Sequence, residues 1–309
     1  MLVLGPEGWR PLREAHEARA AGLSAAHRAR REARQSHAVD DFLWTYYSLR
    51  PGRLARWHPG AGVALTGTDD VPPGYRETAT GSGTAVVADP AAFADRCPGV
   101  LEWVSAVLGG VASRPARHDC FGLHEWAMVY RADERRHALP LRLGPAGTDA
   151  VVESLPVRCS HIDAFRFFTE AAVPLNASVP TRAAQPDLDH AGCVHVTMDL
   201  LKWALKLGPL VPGDLLLDCF ELARDARTLD MRASPYDVSG YGHEPVAVET
   251  PTGRQAYAAA QRDLAGRAAP LRQRLLAVCR QAVAEVAGAA DAAEVAGPVQ
   301  TVDGALRRG

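Results

Sequence analysis

The sequence predicts a mainly helical α+β fold, a single large domain carrying a small β-hairpin element. Three observations carry that expectation. Long runs of Ala, Leu, Val and charged residues repeat at helical spacing, above all from Gly253 to Gly288, where Leu264, Leu271, Leu275, Val278, Ala282 and Val286 form a near-heptad stripe. Strand-like pieces are short and bounded by Gly, Pro, Thr and Asp. No internal repeat and no clean linker divides the 309 residues, a length that buries a substantial core without staples.

Taken in order, Arg10 to Gln35 is rich in Ala, Arg and Glu and reads as an exposed basic helix. His37 to Leu49 turns bulky and apolar, a buried helix stopped at Arg50-Pro51-Gly52. His37 and Asp41, four apart, share a face of it. Gly60 to Pro90 is an irregular loop or small hairpin, with strand-like pieces at Gly62–Leu65 and Thr84–Ala88. Ala91 to Ala112 is a helix. Ala138–Leu143 and Ala150–Val157 read as two strands around Gly144-Pro145-Ala146-Gly147. His190 to Leu207 and Gly213 to Leu229 are helices, the second with Asp214 placed to cap it. A kink is expected at Pro270 of the last helix. The boundaries are then a basic N-terminal helix or arm over 1–36, a mainly helical catalytic domain over 37–288, and a flexible tail over 289–309.

Composition narrows the function. Hydrophobic content of 47%, charged content of 23% and a net charge of -2 describe an ordinary globular protein with no global attraction to polyanions. Nucleic-acid contact would need a local patch, for which the N-terminal helix and Arg50, Arg53 and Arg56 are the candidates. Six scattered cysteines without a C-x-x-C pair argue against a disulfide framework or a thiolate zinc site, and fit a reducing cytoplasm. No signal sequence and no apolar run of bilayer length is visible, so a cytoplasmic location without membrane contact is expected.

Three strings carry the chemistry: Cys120–Arg131 with His124, Glu125, Trp126 and Tyr130; Cys159–Phe168 with His161, Asp163 and Phe165; and Cys193–Trp203 with His195, Asp199 and Lys202. Polar tips in apolar runs need partners, at about 1–3 kcal/mol for each one left unpaired. Three such strings in one fold suggest the walls of one polar pocket. His195 and Asp199 lie four apart on a helix, and His161 and Asp163 two apart on an extended stretch, so each pair shares a side. Together these four form a two-histidine, carboxylate-rich site suited to iron, manganese or zinc, which Glu125 or His124 would complete. H-E-x-x-H is absent, because Met128 stands where the second histidine belongs. The alternative is that His161 and His195 are core histidines bonded to Asp163 and Asp199. Without metal, Glu125, Asp163 and Asp199 read as catalytic carboxylates, raised in pKa by aromatic surroundings and able to activate water against an anomeric carbon. Trp126, Tyr130, Phe165, Trp203 and Tyr236 would then hold a planar ring. His118-Asp119 sits in a loop-like setting, and Gly81-Ser82-Gly83-Thr84 lacks the lysine of a phosphate loop, so neither carries a site.

Three segments, His37–Pro51, Cys120–Arg131 and Asp230-Met231-Arg232-Ala233-Ser234-Pro235-Tyr236-Asp237, resemble an actinobacterial family commonly labelled 3-methyladenine DNA glycosylase. The resemblance runs from about residue 37 to residue 280. It implies a DNA-repair hydrolase that removes an alkylated purine from DNA or a nucleoside, without a cofactor. The Gly-rich hairpin of helix-hairpin-helix glycosylases has no counterpart here. The sequence therefore carries two readings: an N-glycosidic-bond hydrolase, and a metal-dependent oxygenase or hydrolase using His161, Asp163, His195 and Asp199 on a small metabolite.

Overall fold

The computed structural model describes residues 1–81, 83–134 and 137–296. The chain opens with a short strand β1 (Leu2–Leu4) and a long helix α1 (Pro6–Glu32). Two short helices follow, α2 (Phe42–Tyr46) and α3 (Pro51–Leu54), and then strands β2 (Val63–Leu65), β3 (Tyr75–Thr80) and β4 (Gly83–Ala88). Helices α4 (Pro90–Arg96), α5 (Val100–Ser113), α6 (Leu123–Ala127), α7 (Gly144–Ser154), α8 (Ile162–Phe165) and α9 (Gln185–Leu188) surround the core helices α10 (Val194–Leu207) and α11 (Gly213–Ala233), which the last helix α12 (Pro251–Ala296) crosses. The mainly helical α+β expectation is met.

The sheet runs β1-β2-β4-β3, with β1 parallel to β2 and the other pairs antiparallel. Leu2 pairs with Val63, so the N-terminus is stitched into the body. The expected N-terminal arm is no free arm. Its helix buries Trp9, His16, Ala20, Ser24 and His27, a stripe at helical spacing made of small and polar residues. Trp9 Nε1 donates to Thr66 O at 3.0 Å, and His27 stacks on Trp44 at 4.7 Å. Two of its arginines are neutralised: Arg19 pairs with Asp218 and Glu221, and Arg30 with Asp41. The second of those pairings also draws Asp41 off the expected helix face, where its carboxylate accepts from the His37 backbone N–H.

Other expectations need correction. The helix over His37–Leu49 shrinks to α2, flanked by turns. The helix over Ala91–Ala112 is two, broken at Cys97-Pro98-Gly99, where Gly99 adopts φ 73°. Asp89 caps the first of them, accepting from Ala91 N and Ala92 N. The strand pair at 138–157 does not form. Gly144-Pro145 opens α7 with proline in its first turn, where the missing N–H costs nothing, and buried Val151 and Val152 face the core from a helix. The hairpin is formed by β3 and β4, inside the Gly60–Pro90 stretch read as an irregular loop or small hairpin. Asp214 does not cap α11; Pro212 holds that position and Asp214 pairs with Arg274 of α12. α12 is a single helix through Pro270 and continues past Gly288 to Ala296; the rest of the expected tail, 297–309, lies outside the described residues. Among the described residues no helix is long and apolar enough to cross a membrane.

Two imidazoles away from the polar cavity set an acid limit on this fold. Burial, with Arg56 nearby, pushes His58 down to about 4, and burial with Arg117 does the same to His190. Both pKa values lie below the unfolded value near 6.5, so their contribution to stability is full above that pH. It falls as pH drops from 6.5 toward 4, because the unfolded chain takes up the protons first. The slope is at most about 1.4 kcal/mol per pH unit for each histidine. Urea unfolding at pH 7, 6 and 5 is expected to show this loss, and the His58→Gln/His190→Gln protein a flatter profile. Equal slopes in the two proteins would remove both histidines from the explanation.

Candidate functional site

Four elements bring polar side chains together around one small cavity; Glu125, His161, Asp163, His195, Asp199 and Arg227 line it, while His124, Asp230 and Lys202 lie behind that lining. α10 presents His195, Asp199 and Lys202 at spacings of four and three, one stripe on a helix otherwise buried through Val194, Met198, Leu200, Leu201 and Trp203. α11 presents Arg227 and Asp230, three apart and buried. α6 supplies His124 and Glu125. Its direction is set by two consecutive left-handed residues, Phe121 at φ 48° and Gly122 at φ 71°. For Phe121 that conformation costs about 1–2 kcal/mol, held by the packing around it. Glycine suits position 122 doubly, since a Cβ there would meet the Tyr257 hydroxyl at 3.3 Å. His161 ends the extended stretch that enters α8, and Asp163 lies in its first turn. The expected strand is therefore a helix start, and the two side chains converge by a turn of chain rather than by strand alternation.

The groups sort into two linked clusters. In one, His161 Nε2 lies 3.1 Å from Asp199 Oδ2, and Lys202 Nζ donates to Asp163 Oδ2 at 2.8 Å and to Asp199 Oδ2 at 2.9 Å. Arg182 also binds Asp163. In the other, His124 Nε2 lies 2.7 Å from Asp230 Oδ1, while one Arg227 nitrogen donates to Glu125 Oε1 and Asp230 Oδ2, each at 2.8 Å. His195 joins them, edge-on to His124 at 4.4 Å and stacked on His161 at 5.2 Å. The Nδ1 atoms of His195 and His161 are shielded from solvent and lack a hydrogen-bond partner.

For Asp163 and Asp199, charge pairing overturns the expectation of raised pKa values. Burial does oppose ionisation of Asp163, but Arg182 and Lys202 hold its carboxyl well below the usual range. Against the same opposition, Lys202 and His161 bring Asp199 down to about 2. Burial also disfavours a charge on His161, yet Asp199 and Asp189 outweigh it and raise its pKa. His195 has no such partner, and burial beside His124 holds it far below its ordinary value, as a neutral imidazole.

Glu125, Asp163, Asp199, His161 and His195 thus line the same cavity, with Arg227, Phe42, Tyr46 and Tyr47. The aromatic residues expected to stack on a substrate do not. Trp126 is fully buried with its Nε1 donating to Ala233 O at 2.8 Å, and Phe165 packs against Phe168. Trp203 is buried beneath the Lys202 ammonium, 4.5 Å from its ring. Tyr130 donates to Glu153 on the far side of α6, and Tyr236 is core, its backbone bridged to Leu141. Bulk drove these rings into the interior, where large apolar surfaces gain most.

Two triads offer converging metal-ligand atoms, each set within 4.8 Å: His124, His195 and Asp230, and His161, Asp163 and Asp199. The four residues expected as one ligand set are therefore divided, with His195 in a triad completed by His124 and Asp230. Asp230 and Arg227 had no signal of their own in the sequence beyond their three-residue spacing. The resemblance string beginning at Asp230 includes Asp230 but not Arg227. The cavity itself is about 20 Å³, room for about one water. Compared with protein-family models, curated proteins and solved structures, the chain matches none.

Proposed function

We propose that the protein is a metal-dependent enzyme acting on a small metabolite, with His124, His195 and Asp230 as ligands of one iron, manganese or zinc ion. The observation that carries this is the convergence of those three side chains from α6, α10 and α11, with a buried His195 nitrogen that nothing else satisfies. Two histidines and one carboxylate suit such ions and leave coordination positions open.

The donor chemistry distinguishes the two triads. Between Asp163 and Asp199 the cation position is filled by the Lys202 ammonium, with Arg182 beside it. Around Asp230, two carboxylates share the single guanidinium of Arg227, and the further partner of Asp230 is the His124 imidazole, itself a metal-ligand type. An ion there supplies Lewis acidity and lowers the pKa of bound water. The chain's own residues do the rest: Arg227 fixes Asp230, Lys202 and Asp199 orient His161, and His161 holds a proton at the cavity wall. The N-glycosidic reading is supported by the convergence of Glu125, Asp163 and Asp199 on the cavity. It is the weaker reading, because Asp163 and Asp199 are already paired with Arg182 and Lys202 and the aromatic side chains expected to hold the base lie elsewhere.

The test is metal analysis of protein purified without chelator, then reloaded in turn with iron, manganese and zinc. About one equivalent of one metal per chain, with a higher melting temperature than the chelated protein, is expected. Less than about a tenth of an equivalent with all three, and no thermal shift, would overturn the metal reading.

A further inference from the structure

A second cavity opens beside the first and shares Tyr46, Tyr47 and Asp163 with it. This groove is about 460 Å³ and is lined by Arg53, Arg166, Arg182, Lys202 and Lys206, against Asp163 as its one acidic residue. Lys202 and Arg182 are matched by Asp163 and Asp199. Arg53, Arg166 and Lys206 remain in excess, apart from a 3.4 Å approach of Arg166 to the already doubly paired Asp163. Three like charges on one wall repel one another, a standing cost unless an anion sits among them.

The guanidinium groups are oriented by further partners, which for Arg53 are neutral. Arg53 donates to Leu205 O at 2.6 Å at the end of α10, Arg182 to Gln185 Oε1 at 2.7 Å, and Arg166 stacks on the Phe167 ring at 4.5 Å. Fixed planar donors of this kind match the paired oxygens of a phosphate group.

We propose that this groove binds the phosphate end of a small phosphorylated substrate, a monoester or diphosphate, whose other end is directed toward Tyr46, Tyr47 and Asp163, the residues the groove shares with the His/Asp cavity. The reacting end rests on the metal reading above; the anion site does not. A nucleic acid fits the observations less well. It needs a track of phosphate contacts, and Arg19 and Arg30 of α1 are held by carboxylates, whereas the groove gathers its cations around one small cavity.

The probes are inorganic phosphate, pyrophosphate, succinate and a 20-base-pair duplex, titrated calorimetrically at low salt. The proteins are the wild type, its chelator-treated form, and the Arg166→Ala/Lys206→Ala variant. Both substituted residues are exposed, so folding is not at stake. Saturable binding of pyrophosphate is expected, unchanged by chelation and weakened at least about tenfold in the variant, which loses two charge-assisted contacts to the anion. No saturable binding, or binding indifferent to the substitutions, would overturn the groove and leave the metal reading standing. Binding abolished by chelation would place the anion on the metal instead, and also overturn the groove. Tighter binding of succinate would overturn the phosphate assignment, and tighter salt-dependent binding of the duplex would overturn the small-molecule one. Retained pyrophosphate binding in a chain that takes up no metal would uphold the groove and sink the metal centre alone.

Discussion

Replacing Arg227 with methionine is expected to lower the folding stability by about 3–5 kcal/mol, the cost of leaving buried carboxylates without their cation. Arg227 is 2% exposed and lies over the Phe42 ring at 3.9 Å. Its single nitrogen holds both Glu125 and Asp230, whose side chains are 7% and 0% exposed. The arrangement as a whole need not stabilise the protein strongly, because desolvating three charges offsets most of their attraction. Removing one member is different, since what remains is uncompensated charge in a medium of low polarity. That difference makes the claim testable. Chemical denaturation of Arg227→Met should show the loss, and adding Glu125→Gln to the same chain should recover part of it by removing one of the stranded charges. A loss under about 1 kcal/mol, or a further loss on adding Glu125→Gln, would mean that the charges are not coupled as the geometry indicates.

The same residue shows where the sequence stops being informative. His195, Asp199 and Lys202 were legible because helical periodicity alone puts them on one face, and α10 holds them there. His161 and Asp163 were legible as a pair, though the local geometry was misread. A histidine at a helix start and a carboxylate in its first turn look like alternation on a strand when only the spacing is known. Asp230 could not be joined to His124 from the sequence, because 106 residues separate them and no period links α6 to α11. The aromatic residues failed for a related reason: a ring beside a carboxylate in sequence points to the opposite side of a helix as readily as to the same one, and burial decided for Trp126 and Trp203. In the fold, long apolar stripes identified α10, α11 and α12. The buried stripe of α1 was hidden because it uses alanine, serine and histidine in place of leucine. Val151 and Val152 suggested a strand by their branching, which Gly144-Pro145 and tertiary packing overrode.

Substituting His195→Ala should strip the metal while sparing the fold. Of the three proposed ligands, His124 is bonded to Asp230, and Asp230 also carries Arg227, so changing either disturbs the charge network as well as the donor set. His195 offers a cleaner test. Its Nδ1 has no hydrogen-bond partner, and its ring touches the site through the faces and edges of His124 and His161. Its removal therefore costs packing alone, about 1–2 kcal/mol for a half-buried ring. Metal retention should fall much further. Disturbing the residues that merely support a ligand lowers affinity about 10–100-fold, and loss of a ligand should exceed that. Metal content is expected to drop from about one equivalent to under about a tenth after dialysis, with the unfolding transition still cooperative. His161→Ala is the necessary companion, because His161 belongs to the triad whose cation position Lys202 fills, and its metal content should stay within about twofold of wild type. The reverse outcome, metal lost from His161→Ala and kept by His195→Ala, would move the ion to Asp163 and Asp199 and force Lys202 out of its observed place between them. Equal loss from both would put the ion between the stacked rings, and neither triad would then be the site.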